Sequence, residues 1–166
     1  MMNEPKIKRL LLYAAGVVSI LAVLVSTRAA EAGISLVKGQ KVYVPVYSHI
    51  YHGDREQPFE LAITLSIRNT DPVHAISLIS VDYYDSEGKL IRKYLENEMK
   101  LGAMASARFV VKESDKSGGA GASFIVRWKS ETRVAEPIVE SIMIGTSTQQ
   151  GISFSSRGQA IEEERE

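Results

Sequence analysis

Phe59-Glu60-Leu61-Ala62-Ile63-Thr64-Leu65-Ser66-Ile67-Arg68 decides the fold class of this chain. Phe59, Leu61, Ile63, Leu65 and Ile67 alternate with Glu60, Ala62, Thr64, Ser66 and Arg68, so apolar side chains recur at every second residue. That period belongs to a pleated strand, whose successive side chains point to opposite faces; a helix needs apolar positions three and four apart. Apolar residues along one face and mostly polar ones along the other describe a strand with a buried side and a wet side. Asn69-Thr70-Asp71-Pro72 follows, a run of turn formers that ends it.

The same period extends in both directions. Upstream, Lys41–Ser48 places Val42, Val44 and Val46 on one face and Tyr43 and Tyr47 on the other. Pro45 cannot donate to a ladder, which predicts an edge strand or a bulge there. Downstream, the apolar set of Ala75–Tyr84 changes phase, from Ile76 and Leu78 to Ile79, Val81 and Tyr83, predicting a bulge near Ser80. Asp85-Ser86-Glu87-Gly88 reads as a tight turn into Lys89–Leu95, making a hairpin. Met99–Leu101 is a short strand candidate, and Ala107, Phe109 and Val111 alternate in the next. Ser114–Gly121 reads as a connection, after which Phe124, Val126 and Trp128 alternate. In the strand that follows, Ile138, Ile142 and Ile144 share one face, with Val139, Ser141 and Met143 opposite. Gly151–Ser155 is a last short strand, and the charge run Glu162–Glu166 reads as the end of a disordered tail over 159–166. The set predicts an all-β fold: an immunoglobulin-like β-sandwich of seven or eight strands over residues 33–158.

The beginning of the chain has a different character. Lys6, Lys8 and Arg9 precede an uncharged apolar run, Leu10–Val25, which is the charged and apolar succession of a secretory signal. Ala30-Glu31-Ala32 reads as a small-x-small cleavage site, with the cut between Ala32 and Gly33. The competing reading is an uncleaved anchor helix, since the uncharged stretch through Thr27 spans roughly 27 Å as a helix against a hydrocarbon core of ~30 Å. Either way residues 1–32 are the signal peptide or membrane anchor. Basic residues on the N-terminal side put the following domain outside the cytoplasm, either soluble in the periplasm or tethered to the inner membrane through residues 10–27.

Composition narrows the function classes. Lys plus Arg and Asp plus Glu number 20 each. With Lys6, Lys8, Arg9 and Arg28 against Glu4 and Glu31 in the first 32 residues, the remainder is nearly neutral. Nucleic acid as a partner is therefore not expected, because it calls for a clustered basic domain. The chain has no cysteine, which removes disulfides, thiolate catalysis and zinc–thiolate sites. The core alone must hold such a domain together.

Few constellations suggest chemistry. His49, His52 and Asp54 are a possible ligand set for zinc, copper or nickel. In an extended segment the two histidines fall on opposite faces, so a shared ion requires a turn around Tyr51; otherwise the segment is a surface hydrogen-bonding loop. His74, beside a strand, could complete the set if the fold brought it close. Asp85-Ser86-Glu87-Gly88 lacks the regular oxygen ligands of a calcium loop. Ser86 and Lys89 match the spacing of an acyl-enzyme pair without its helix start or partner motifs. Gly118-Gly119-Ala120-Gly121 lacks the lysine and helix of a phosphate loop. Gly145–Gly151 is wholly uncharged, and its Thr146, Ser147, Thr148, Gln149 and Gln150 suit a partner-binding loop that bonds a peptide or sugar, or pairs as an added strand. A plain polar loop is the alternative.

The segments VYVPVYSHIYHGD (Val42–Asp54), LSIRNTDP (Leu65–Pro72), VDYYDSEGKL (Val81–Leu90), ARFVVKE (Ala107–Glu113) and IGTSTQQGISFSSRG (Ile144–Gly158) carry a resemblance. From about Leu36 to Gly158 the chain resembles an uncharacterised family of exported bacterial proteins, a domain of unknown function. More loosely, it is similar to immunoglobulin-like modules of bacterial surface proteins. The resemblance implies the fold and the location, and it implies no reaction. The function expected is a non-enzymatic binding or structural module of the bacterial cell envelope, without a cofactor, whose partner is an envelope protein or polymer. The alternative is a metal- or small-ligand-binding periplasmic domain using His49, His52 and Asp54. A hydrolase of envelope polymers comes third, for want of an acid/base or nucleophile cluster.

Overall fold

The computed structural model describes residues 35–147 and 150–163. The segment expected to be a signal or anchor, 1–32, lies outside them. The described chain is all-β: β1 (Leu36–Pro45), β2 (His49–His52), β3 (Gln57–Glu60), β4 (Ala62–Arg68), β5 (Ile76–Tyr84), β6 (Leu90–Lys93), β7 (Met99–Leu101), β8 (Ser106–Val111), β9 (Ser123–Ala135), β10 (Ile138–Ser147), β11 (Gln150–Arg157) and β12 (Gln159–Glu163).

Every strand pair is antiparallel. The larger sheet runs β12-β1-β9-β5, and β6 and β7 share the outer edge of β5. The second sheet runs β11-β10-β4-β8, and β2 and β3 form a separate ribbon. Both sheets contribute to one buried cluster: Val42, Val44, Leu78, Val81, Tyr83, Phe124, Val126 and Trp128 from the larger, and Ile63, Leu65, Ile67, Phe109, Val111, Val139 and Met143 from the second. Burying each such side chain contributes about 1.5–3 kcal/mol.

Twelve strands among the described residues replace the expected seven or eight, for two main reasons. The Phe59–Arg68 run keeps its phase but changes partner: Glu60 ends β3, which pairs β2, and Ala62 opens β4, which enters the second sheet. Between them Leu61 donates its N–H to the Ser48 carbonyl at 2.9 Å. Alternation reports which face is buried and is blind to such a switch. The second reason is a correction: residues 159–163 are not a disordered tail but β12, laid along β1 with Gln40 opposite Glu163 and Tyr43 opposite Gln159. Its acidic residues stand on an exposed edge, which is how a sheet margin is kept from pairing further.

Other local expectations are met, Pro45 excepted. The register of β5 on β9 slips between Leu78 and Ser80, where the phase change lay. Asp85–Gly88 is a turn: Gly88, at φ 79°, donates to the Asp85 carbonyl, and Asp85 Oδ1 accepts the N–H of Glu87 and of Lys89. Pro45 is a correction: β1 is not an edge strand but lies between β12 and β9, with its register slips at Lys41/Val42 and Val37/Gly39. The proline is tolerated because it closes β1 two residues beyond its last partner in β12. In β10, Val139, Ser141 and Met143 face inward, because they lie opposite Ile67, Leu65 and Ile63 of β4. Register on an inner row fixes every side chain of a strand. Ile138, Ile142 and Ile144 are thereby turned to the outside. Ser141, although buried, donates its hydroxyl to the Pro45 carbonyl at 2.9 Å.

Candidate functional site

The outward positions of the second sheet form a flat surface whose side chains can be read in rows. One row crosses Arg157, Glu140, Ser66 and Arg108 on β11, β10, β4 and β8. The next crosses Ser155, Ile142, Thr64 and Val110, and a third begins Ser153, Ile144, Ala62. On the other side of the first row, Ile138, Arg68 and Ser106 lie across β10, β4 and β8. Hydroxyls, an isoleucine stripe and guanidinium groups thus share one face.

Its charge is uneven. Along these paired positions Arg68, Arg108 and Arg157 face solvent with Glu140 as the one carboxylate. Glu140 lies 3.5 Å from Arg68 Nε, and that nitrogen also donates to Ser66 Oγ at 3.2 Å. A shallow depression of about 440 Å³ lies here, lined by Thr64, Ser66, Arg68, Ser106, Arg108 and Ile142. Ile144 and Val110 are each about half exposed, at 50% and 48%. Serine, threonine and arginine supply directional donors, while isoleucine supplies apolar contact, so the face suits a hydroxylated, negatively charged chain.

The uncharged segment singled out in the sequence borders this face. Gly145–Ser147 and Gln150–Gly151 are arms of the β10–β11 hairpin, with Ser147 opposite Gln150. Thr146 is exposed and continues the outward row of β10. Thr148 and Gln149 lie outside the described residues.

The histidines do not come together. His49 Nε2 is 3.1 Å from the Tyr51 hydroxyl, with the two rings edge to face. His52 instead sets its ring against Phe59, 6.1 Å between centroids. Both are in strand β2, where a separation of three residues puts side chains on opposite faces. Among the described residues no three His, Asp or Glu side chains are placed to hold a metal ion, so Asp54 and His74 complete no ligand set with them.

His74 belongs to another feature, an open polar cleft with Val73, Ser77, Glu98, Lys100, Lys129 and Glu131 in its walls. Asp71 Oδ1 accepts the N–H of Val73 and of His74 and lies 3.2 Å from His74 Nδ1. Those bonds, the His74 N–H first, hold the Asp71 carboxyl below the ordinary carboxylate range. The Ser77 hydroxyl, then the ammonium of Lys129, does the same for Glu98. His74, Ser77, Glu98 and Lys129, engaged in these contacts, line the cleft.

Residues 39–161 match a family model described as a protein of unknown function, DUF3124. The chain belongs to the DUF3124 family. The matched span of this DUF3124 domain runs from β1 into β12, so the face just described and the terminal strand both lie within it. No curated protein matches the sequence. Among solved structures the chain is similar to the crystal structure of Thermotoga maritima 1070, at 13% identity and a TM-score of 0.45, over 75% of this chain and 97% of that one.

Sequence reasoning passed over the outer face of the second sheet. Arg68, Arg108 and Arg157 are far apart in the chain, and each looks like the ordinary wet phase of its own strand. Only the register of four strands brings them into adjoining rows.

Proposed function

We propose that this protein is a non-enzymatic binding module of the bacterial cell envelope that holds an anionic envelope polymer on the outer face of its second sheet. In this reading residues 1–32 export the chain, as a cleaved signal or an anchor. The two sheets then stand as an immunoglobulin-like sandwich in the periplasm, free or tethered to the inner membrane. Support for export comes from the basic and apolar succession of Lys6–Val25. Support for the sandwich comes from one apolar cluster shared by two antiparallel sheets.

The observation that carries the binding reading is the disposition of charge: Arg68, Arg108 and Arg157 around Glu140, among Ser66, Thr64, Ser106, Ser153 and Ser155. In a chain of zero formal net charge this is a local concentration. Guanidinium groups take carboxylate and phosphate in a fixed fork, and hydroxyls suit sugar edges.

Cosedimentation of the purified protein with isolated cell-wall polymer tests it. The Arg108→Glu/Arg157→Glu double variant is expected to bind at least about tenfold more weakly, as loss of charge-assisted bonds worth roughly 1.5–3 kcal/mol each dictates. Raised salt should weaken the wild type in the same direction. Equal binding by variant and wild type, or no binding to any envelope polymer at low salt, overturns the reading.

A further inference from the structure

We infer that a second copy of this chain pairs along the free edge of β11, antiparallel and centred on Phe154, joining two second sheets into one. The inference stands on the geometry of that edge and does not depend on the polymer reading.

β11 is the terminal strand of its sheet and pairs with β10 without a break, from Gln150 opposite Ser147 to Arg157 opposite Glu140. Just past it, Gly158 donates to the Val139 carbonyl at 2.8 Å. Hydrogen-bonded and non-bonded pairs alternate along an antiparallel ladder, so Ser156, Phe154 and Ile152 also address β10. Gly151, Ser153, Ser155 and Arg157 therefore turn their backbone N–H and C=O outward.

The other margins are blunted. β6 and β7 are short and carry Arg92, Lys93 and Lys100. β12 ends in Glu162 and Glu163, with a register slip against β1. At β8 the Tyr94 hydroxyl donates to the Val110 carbonyl at 3.1 Å. β11 alone among them is eight residues long, free of proline and bulge, and uncharged as far as Arg157. Proteins that stay single protect an edge of this kind.

The edge is complementary to itself. Centring the pairing on Phe154 sets Ser153 opposite Ser155 of the second copy and Arg157 opposite Gly151, so every outward backbone group finds a partner and the one cation does not meet its like. Phe154 faces Phe154, and Ile152 faces Ser156. Phe154 and Ile152 are only half-buried, and Phe154 already packs edge to face on Tyr47 at 5.7 Å. A second copy covers that aromatic pair with its equal. Zero formal net charge opposes the approach with no long-range repulsion.

Cysteine placement in the full chain, expressed in cells, tests the register, because the protein has no cysteine of its own. Directly opposed residues lie within disulfide reach, roughly 5.5 Å between Cα atoms, whereas residues displaced by two along the strand do not. The Ser153→Cys/Ser155→Cys double variant should give a covalent dimer on oxidation, with at least about fivefold less from either single variant. Ser153→Pro removes an outward N–H and leaves the β10 ladder intact. It should yield a monomer by light scattering, with unchanged fluorescence from the buried Trp128 showing that the fold survives. A Ser153→Pro chain that remains dimeric, a native chain that is monomeric, or adducts formed at β11 with some other protein instead would each overturn the inference.

Discussion

Ser48 Oγ lies 2.9 Å from the Tyr83 hydroxyl, and neither residue is exposed to solvent. Ser48 holds three parts of the fold together: its N–H donates to Gly119, its carbonyl accepts from Leu61, and its side chain meets β5. Replacing one member of this pair leaves the other hydroxyl buried and unpaired. Ser48→Ala and Tyr83→Phe should each lower stability by about 1–3 kcal/mol. The double variant should lose less than their sum, because the second change removes the orphan left by the first. Urea unfolding of the four proteins checks this, and strict additivity would refute the coupling.

Tyr83 also sets an alkaline limit. Burial pushes its hydroxyl above the ordinary tyrosine range, with the Ser48 bond pulling the other way. A group whose folded pKa is raised contributes stability that is complete below its unfolded value, near 10, and is lost as pH climbs through the folded value. Stability should thus fall above about pH 10. Tyr83→Phe should flatten that fall while lowering stability at neutral pH. Denaturant midpoints at about pH 8 and pH 11 would show it, and an identical alkaline slope in both proteins would count against it.

At the opposite end of the pH scale Asp71 carries the sign. Its carboxyl is held low by the His74 and Val73 amides. A depressed carboxylate contributes stability above its unfolded value, near 4, that disappears as pH falls through the folded one. The turn rests on Asn69, buried, whose Nδ2 donates to the carbonyls of His74 at 2.8 Å and Gly102 at 2.9 Å. Asn69→Ala should cost about 2–4 kcal/mol at any pH. Asp71→Asn should act mainly by reducing the acid slope. Thermal melts between about pH 3 and pH 7 separate the two, and a parallel acid loss in Asp71→Asn would defeat the assignment.

Gly145 marks where β10 passes closest to the β3–β4 corner. A Cβ there would meet the Glu60 carbonyl and come within 2.6 Å of the Phe59 ring and 2.9 Å of the Leu61 side chain. Backbone cannot step aside as a side-chain tip can, so Gly145→Ala should lose about 1–3 kcal/mol by overpacking. Gly151, opposite Thr146 with open space where its Cβ would stand, is the control. Differential scanning calorimetry of both should find a clear drop only for Gly145→Ala.

What the sequence made legible was local. The alternation of Phe59–Arg68 named the buried residues, the phase change in β5 located its bulge, and Asp85–Gly88 announced a turn, because each depends on neighbours in the chain. The outer face depends instead on which strand lies beside which. Ile138, Ile142 and Ile144 form as apolar a row as Val139, Ser141 and Met143, and only the register on Ile63, Leu65 and Ile67 decides which row goes inside. His49 and His52 illustrate the converse: proximity in sequence becomes separation once β2 is extended.

The charged end of the chain offers the sharpest test of that distinction, since composition and pairing assign it opposite roles. As a solvated tail, residues 159–166 could be removed without cost. As β12, residues 159–163 line one side of β1 from Gln40 to Tyr43, and their removal uncovers that flank, Val42 included. A chain ending at Gly158 should lose about 2–4 kcal/mol, the sum of a few ladder bonds at roughly 0.5–1.5 each. Its β1 amides should exchange hydrogen far faster. Changing Glu162 and Glu163 to alanine in the whole chain keeps the ladder and removes only charge, including the exposed Lys41–Glu162 contact at 3.6 Å. That change should move stability by less than about 1 kcal/mol. If truncation proves harmless, or if the two alanines do the same damage, backbone pairing is not what holds this strand in place.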